Sequence, residues 1–436
     1  MIINKKSISD SIELSAIKTD KFKSGIITFT LTLPLDQRSY LMSLLIAGIL
    51  RRGTDVFPKM ADINRRLDEL YASSVDIRSN MLGDSLLLIF TAEFLDDRYV
   101  YPQVDILGGV IEVVAQMLLR PIHNKNSFPK KTVAQEIKCV SDSLRSEINN
   151  TRVYAAIRCN ELMNRDNPSY PTVDGLLKEL EVVTSQEIYS YYINTVLNSP
   201  LDVFYIGSAE MDTVAHKISS EFNGFVGSPT AHNSTITNHV SKEFAVMTKS
   251  MPVTQGKLNM GFDIGCNILN DEYCAALVMN EIFGGFSSSK LFLNVREKMN
   301  ICYYCSSSYS IYSGNIMVSG GIDNSNRAIA KEAILAQLKE IQNGNITDDE
   351  ISLAKKSLLN CYKQIYDNPY DIQAFYGGRV LFGIEENIDE CQKKIMKVTR
   401  QEIIDVANKV KYVAEFFVEG NSTNADNALE EDTDEI

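Results

Sequence analysis

A six-residue segment that returns once constrains this chain more than any other feature. Val183-Thr184-Ser185-Gln186-Glu187-Ile188 reappears as Val398-Thr399-Arg400-Gln401-Glu402-Ile403, an offset of 215 residues in a chain of 436. In both copies a Thr precedes a Glu by three positions, the spacing at which the two side chains cap a new helix reciprocally. Each copy is followed by a β-rich run ending in Gly, at 202–207 and at 414–420. A period of half the chain means a duplicated domain, since solenoid repeats recur every 20–50 residues.

The elements around the two copies repeat in the same order. Ile27, Phe29, Leu31 and Leu33 alternate with Thr28, Thr30 and Thr32, which predicts a half-buried strand stopped at Pro34. An apolar helix over 39–51 follows, then an amphipathic helix with Ile63, Leu67, Leu70 and Tyr71 on one face. A hairpin turns at Gly83-Asp84. The second half offers a strand at 258–264, helices at 272–283 and around 291–298, and a hairpin at Ser313-Gly314-Asn315. Long helical stretches, 130–163 and 348–366, close the two halves. This pattern specifies an α+β protein of two homologous domains, each a mainly antiparallel β-sheet covered by helices on one face. The expected division is 1–222 and 243–424, with a Gly-, Ser-, Thr- and Asn-rich linker at 223–242 and an acidic, disordered tail at 425–436.

Composition removes several function classes. The formal net charge is -13 and no Lys/Arg cluster offsets it, which argues against a phosphate-tracking nucleic-acid binder. The longest apolar run, 40–50, is too short to span a bilayer, which needs about 20 residues. The first ten residues hold no apolar signal core, so a cytoplasmic location is expected. Eight scattered cysteines fit a reducing compartment. The lone pair Cys302 and Cys305, in a Tyr- and Ser-rich stretch, reads as structural. Of the four histidines, His123, His216, His232 and His239, no two share a helix at metal-ligand spacing.

Short motifs carry a resemblance: Arg52-Gly53-Thr54, Leu118-Leu119-Arg120-Pro121, the Val183 segment, and the run 291–298 followed by Tyr303. From about Ile26 to Gly420 the chain resembles the insulinase family of zinc peptidases, which includes pitrilysin and mitochondrial processing peptidase. It is most similar to short, two-domain bacterial members encoded beside a catalytic relative. The resemblance implies a processing-peptidase/LuxS-like metallohydrolase fold in each half. It also implies where the catalytic H-x-x-E-H would stand, on the helix just before Gly53-Thr54. Two His four residues apart share a helix face and ligate one Zn²⁺, and the Glu reaches the zinc-bound water. This chain has Leu44, Ala47 and Gly48 there, none able to ligate a metal or accept a proton. Glu136 stands where the family's third ligand falls, and one carboxylate does not hold zinc against hydration, so it reads as a vestige.

In the second half, Arg296 and Tyr303 match the Arg and Tyr that active members apply to the substrate. A guanidinium forks onto a carbonyl or carboxylate, and a phenol donates to a developing oxyanion. The residues by themselves leave alternatives open. Arg296 sits beside Glu297 and Lys298 in a charge run that suits a solvated helix face, and Tyr304 is a possible substitute for Tyr303. Gly284-Gly285 match a loop that handles substrate in relatives, and equally suit a helix C-terminus and turn. The resemblance implies no metal in this chain and zinc in a paralogous peptidase subunit that partners it. Short or unfolded peptides would be the substrate of their shared site. A purely structural or peptide-binding scaffold is the alternative, and a homodimer is open to the isolated chain.

Overall fold

A computed structural model describes residues 3–100, 104–228, 236, 240–241 and 243–421. The expected acidic tail and most of the expected linker's second half, His232 and His239 included, lie outside the described residues. The chain folds as two compact units, each assembled from three stretches of sequence: Met1–Arg145, Pro171–Thr235 and Gln364–Asn387 in the first, and Ser146–Tyr170, Ile236–Lys363 and Ile388–Ile436 in the second.

The first unit carries six strands, β1 (Asn4–Ser9), β2 (Ile12–Lys18), β3 (Ser24–Pro34), β4 (Ser74–Leu82), β5 (Ser85–Leu95) and β6 (Leu201–Gly207), in the sheet order β1-β2-β6-β3-β5-β4. The β4–β5 hairpin closes on the Leu82–Ser85 pair, with Gly83 at φ 58° in the turn. The Gln37–Leu50 helix packs against β4 and β5 and the Ile106–Leu119 helix against β5, and Phe29, Leu31, Leu88 and Phe90 of the sheet are completely buried. Pro34 ends β3, and Asp36 caps the next helix by accepting from the Ser39 N–H.

The second unit repeats the plan with β7 (Ala245–Met251), β8 (Gly256–Asp263), β9 (Cys302–Ser310), β10 (Asn315–Ile322) and β11 (Lys411–Gly420), in the order β7-β11-β8-β10-β9. From β2 onward the two orders superimpose strand for strand. Both contain a single parallel pair at the same place, β2 with β6 and β7 with β11, among antiparallel neighbours. The duplication inferred from one hexapeptide is thus a duplication of topology. Both hexapeptides form full capping boxes, Thr184 with Glu187 and Thr399 with Glu402.

Three expectations need correction. Thr28, Thr30 and Thr32 are no more than 7% exposed, so β3 is buried on both faces. The Pro369–Leu381 helix lies against β3 and β6 and buries Ile372, Phe375 and Tyr376, covering the face that alternation assigned to solvent. The stretch 130–163 is two helices, Lys130–Ser146 in the first unit and Thr151–Met163 in the second, the latter restarted by Asn150 as its cap. Tyr71 leaves its helix in the left-handed region at φ 59° and is exposed, because the helix ends at Glu69. All strands of the first unit fall within 1–222 and all those of the second within 243–424, while one helix segment from each half belongs to the other half's unit.

Candidate functional site

The Gln37–Leu50 helix is apolar nearly all round, and its core-facing residues Leu41, Leu45, Ile46 and Ile49 are buried. Leu44 and Gly48, one turn apart, are half-buried on another face, and Ala47 is buried beside them. The helix stops at a built corner. Gly53 takes φ 155° where its backbone meets that of Pro58, and Thr54 is fully buried, exchanging bonds with Phe57. Two of the motifs in the resemblance meet here: Thr54 bridges Pro121, the Asp55 N–H donates to the Arg120 carbonyl at 3.0 Å, and the Ile122 N–H donates to the Gly53 carbonyl at 3.3 Å.

Glu136, on the Lys130–Ser146 helix, is only 5% exposed and reaches this same face. Its Oε2 lies over Gly48, in the space a Cβ on Gly48 would occupy. Its Oε1 accepts from the Arg52 guanidinium, which also approaches the Cys139 Sγ at 4.0 Å. The structure therefore places Leu44, Ala47, Gly48 and Glu136 on one face, with Arg52 beside them. From sequence Arg52 stands out only as part of a motif; its place one turn beyond Gly48 is the signal that could have found it.

Zinc is the metal that such a fold implies, and these residues do not fit it. A catalytic site needs three protein ligands, whereas this face offers Glu136, already paired with a guanidinium, and the exposed Cys139 beyond it. Among the described residues no group of three or more His, Cys, Asp or Glu could hold a metal ion. His123 and His216 do not join the cluster: His123 stacks near Tyr189, and His216 lies on the Met211–Glu221 helix.

In the second unit, Arg296 lies on the Leu291–Lys298 segment, which is wound as a π-helix and packs on β9. Its side chain is 41% exposed, stacked on Phe292 at 4.8 Å and 3.6 Å from Glu297. Tyr303 is on β9 at a bulge, since Cys302 pairs with Ile322 and Tyr304 with Gly321, leaving Tyr303 without a partner opposite. The extra residue turns Tyr303 outward, 52% exposed, and brings Cys302 and Cys305 to the same buried face. The Tyr303 hydroxyl donates to Asp323 at 3.0 Å, and this bond to a carboxylate pushes the phenol up from its usual range. Tyr304 turns inward under Arg152 at 4.3 Å, and burial pushes its phenol up to about 12. Gly284 is buried, with Leu291 and Ser307 each 2.7 Å from where a Cβ would stand, and Gly285 is exposed.

In fold and in sequence the chain is similar to the inactive group of the M16, insulinase-like peptidases. Residues 183–358 match the family model described as the M16 peptidase inactive domain. The chain is 27% identical over 425 residues, 95% of this chain and 97% of the relative, to the "probable inactive metalloprotease YmfF" of Bacillus subtilis (strain 168). It is 22% identical over 332 residues, 74% of this chain and 75% of the relative, to the "uncharacterized zinc protease YmxG" of the same organism. Among solved structures, a conserved protein from Enterococcus faecalis V583 shares the fold with a TM-score of 0.85 at 24% identity, covering 97% of this chain and 99% of that one. An M16 peptidase inactive domain from Pseudomonas fluorescens does so at 0.78 and 13%, covering 96% and 98%.

Proposed function

We propose that this chain is the zinc-less subunit of a two-subunit peptidase, working with a zinc-bearing relative of the same family. One contrast carries the reading. The first unit offers neither metal ligands nor a general base at Leu44, Ala47 and Gly48, while the second presents Arg296 and Tyr303 to solvent on packed elements. A partner of this kind is in keeping with the relatives, since the same organism holds one protein described as a zinc protease and one described as a "probable inactive metalloprotease".

In this reading the partner holds the metal, and this chain's part is to bind and polarise. The Arg296 guanidinium holds a carbonyl or carboxylate of the peptide. The Tyr303 hydroxyl, turning from Asp323, donates to the oxyanion at the scissile carbon. The substrate is a short or unfolded peptide, whose backbone can add to an open sheet edge, such as β4 or β9. A reducing cytoplasm suits the eight free cysteines. No helix among the described residues is long and apolar enough to cross a membrane.

The Tyr303–Asp323 bond favours a second reading. A phenol has one O–H to donate, and here a carboxylate already takes it, as in a scaffold that binds peptides or partners without assisting hydrolysis. The two readings separate on the reconstituted pair. With Arg296→Ala or Tyr303→Phe, the first expects peptide hydrolysis to fall about 100-fold while the complex stays intact on size-exclusion chromatography. Unchanged activity in both variants, or full activity of the partner alone, sinks it.

A further inference from the structure

We propose that Arg52 has taken over the metal's place on Glu136, so that the degenerate site is an internal guanidinium–carboxylate pair that excludes a divalent cation. A carboxylate as enclosed as Glu136 needs a positive partner, because leaving it unpaired away from water is costly. In an active member of such a family that partner is the metal. Here the guanidinium supplies it through Oε1. The other oxygen, Oε2, has moved into the volume vacated at Gly48. Loss of the side chain at 48 and gain of the arginine contact are thus two halves of one arrangement: the glycine admits the carboxylate and Arg52 neutralises it. A metal arriving at this face would meet a guanidinium already sitting on Oε1.

The consequence is that restoring the missing imidazoles is not enough. Leu44→His with Gly48→His returns two ligands at i, i+4, but Arg52 still holds Glu136. Adding Arg52→Ala frees the third ligand. The probe is zinc itself, with full-length chain dialysed against Zn²⁺, metal content measured by plasma mass spectrometry, and folding checked by circular dichroism. The expected result is less than a tenth of an equivalent of zinc for the double variant and about one equivalent for the triple. Equal zinc in the two, whether both bind or neither does, overturns the proposal.

A second measurement keeps the proposal testable should the histidine variants fold poorly. Arg52→Met and Glu136→Gln are made singly and together, and their melting temperatures compared. The expected pattern is a clear loss in Arg52→Met that is substantially recovered when Glu136→Gln is added, because the orphaned charge is then gone. Additive losses overturn it. Neither arm involves a partner subunit or peptide hydrolysis, so its failure is separable from failure of the functional reading above.

Discussion

Two carboxylates, one half-buried and one buried, show how the same charged group can weaken or strengthen the fold. Asp202 on β6 lies beside Glu13 on β2, and burial together with that neighbour pushes its carboxyl up to about 6. A folded value above the unfolded one means that stability present at low pH is lost as pH rises from about 4 to about 6. Asp202→Asn is therefore expected to stabilise the fold at pH 7.5 by on the order of 2 kcal/mol at most, read as a higher melting temperature, and to make little difference at pH 4. Glu415 on β11 is the opposite case. Burial opposes its charge, but bonds from Lys331, Tyr412 and Arg327 outweigh burial and hold it below the usual carboxylate range. Its contribution is present above pH ~4 and is lost as pH falls through the lowered folded value. Glu415→Gln should cost about 3 kcal/mol at pH 7, read by urea denaturation, with the gap to the parent narrowing below pH 4. Of the degenerate site, the absences at 44, 47 and 48 could be read from the sequence because they are properties of single positions. The Arg52–Glu136 pair could not, since it joins residues 84 apart through the packing of two helices.

Among the elements, the repeated capping boxes were the most legible feature, because a cap is a contact across three residues and needs no tertiary context. Thr184→Ala and Thr399→Ala should each cost about 1 kcal/mol, measured as a shift in the denaturation midpoint. The β9 bulge was not legible. Its extra residue is defined only against β10, and without that register neither the outward turn of Tyr303 nor the shared inward face of Cys302 and Cys305 follows. Alternation likewise assigned Thr28, Thr30 and Thr32 to solvent, because a strand's sequence does not say which distant helix covers its second face. The tight contact at Gly284 gives a further test. Gly284→Ala places a methyl against the Ser307 backbone, which cannot give way as a flexible side chain could. Its expected effect is a fall in melting temperature of several degrees, measured by differential scanning calorimetry.

For the molecule as a whole, the governing feature is the exchange of one helix segment between the two repeats. Thr151–Met163 buries Ala155, Cys159 and Met163 against the second unit's sheet, and Pro369–Leu381 does the corresponding work on the first. A fragment ending at residue 222 therefore lacks the cover over β3 and β6 and carries a helix whose Ala155, Cys159 and Met163 have lost the sheet that buries them. It is expected to be aggregated or partly unfolded by size-exclusion chromatography and circular dichroism, and co-expression with residues 223–436 is expected to recover a soluble, cooperatively melting complex. Recovery of a monomeric, cooperatively folding 1–222 fragment would contradict the exchange.

The same exchange sets a clock on synthesis. The first sheet's six strands have all left the ribosome soon after residue 207, but the segment that shields its Thr-bearing face ends at Asn387. At roughly 5–20 residues per second, that sheet waits on the order of ten to thirty seconds for its lid. During that interval the nascent chain displays a half-covered surface, so the N-terminal repeat, although made first, is completed almost last.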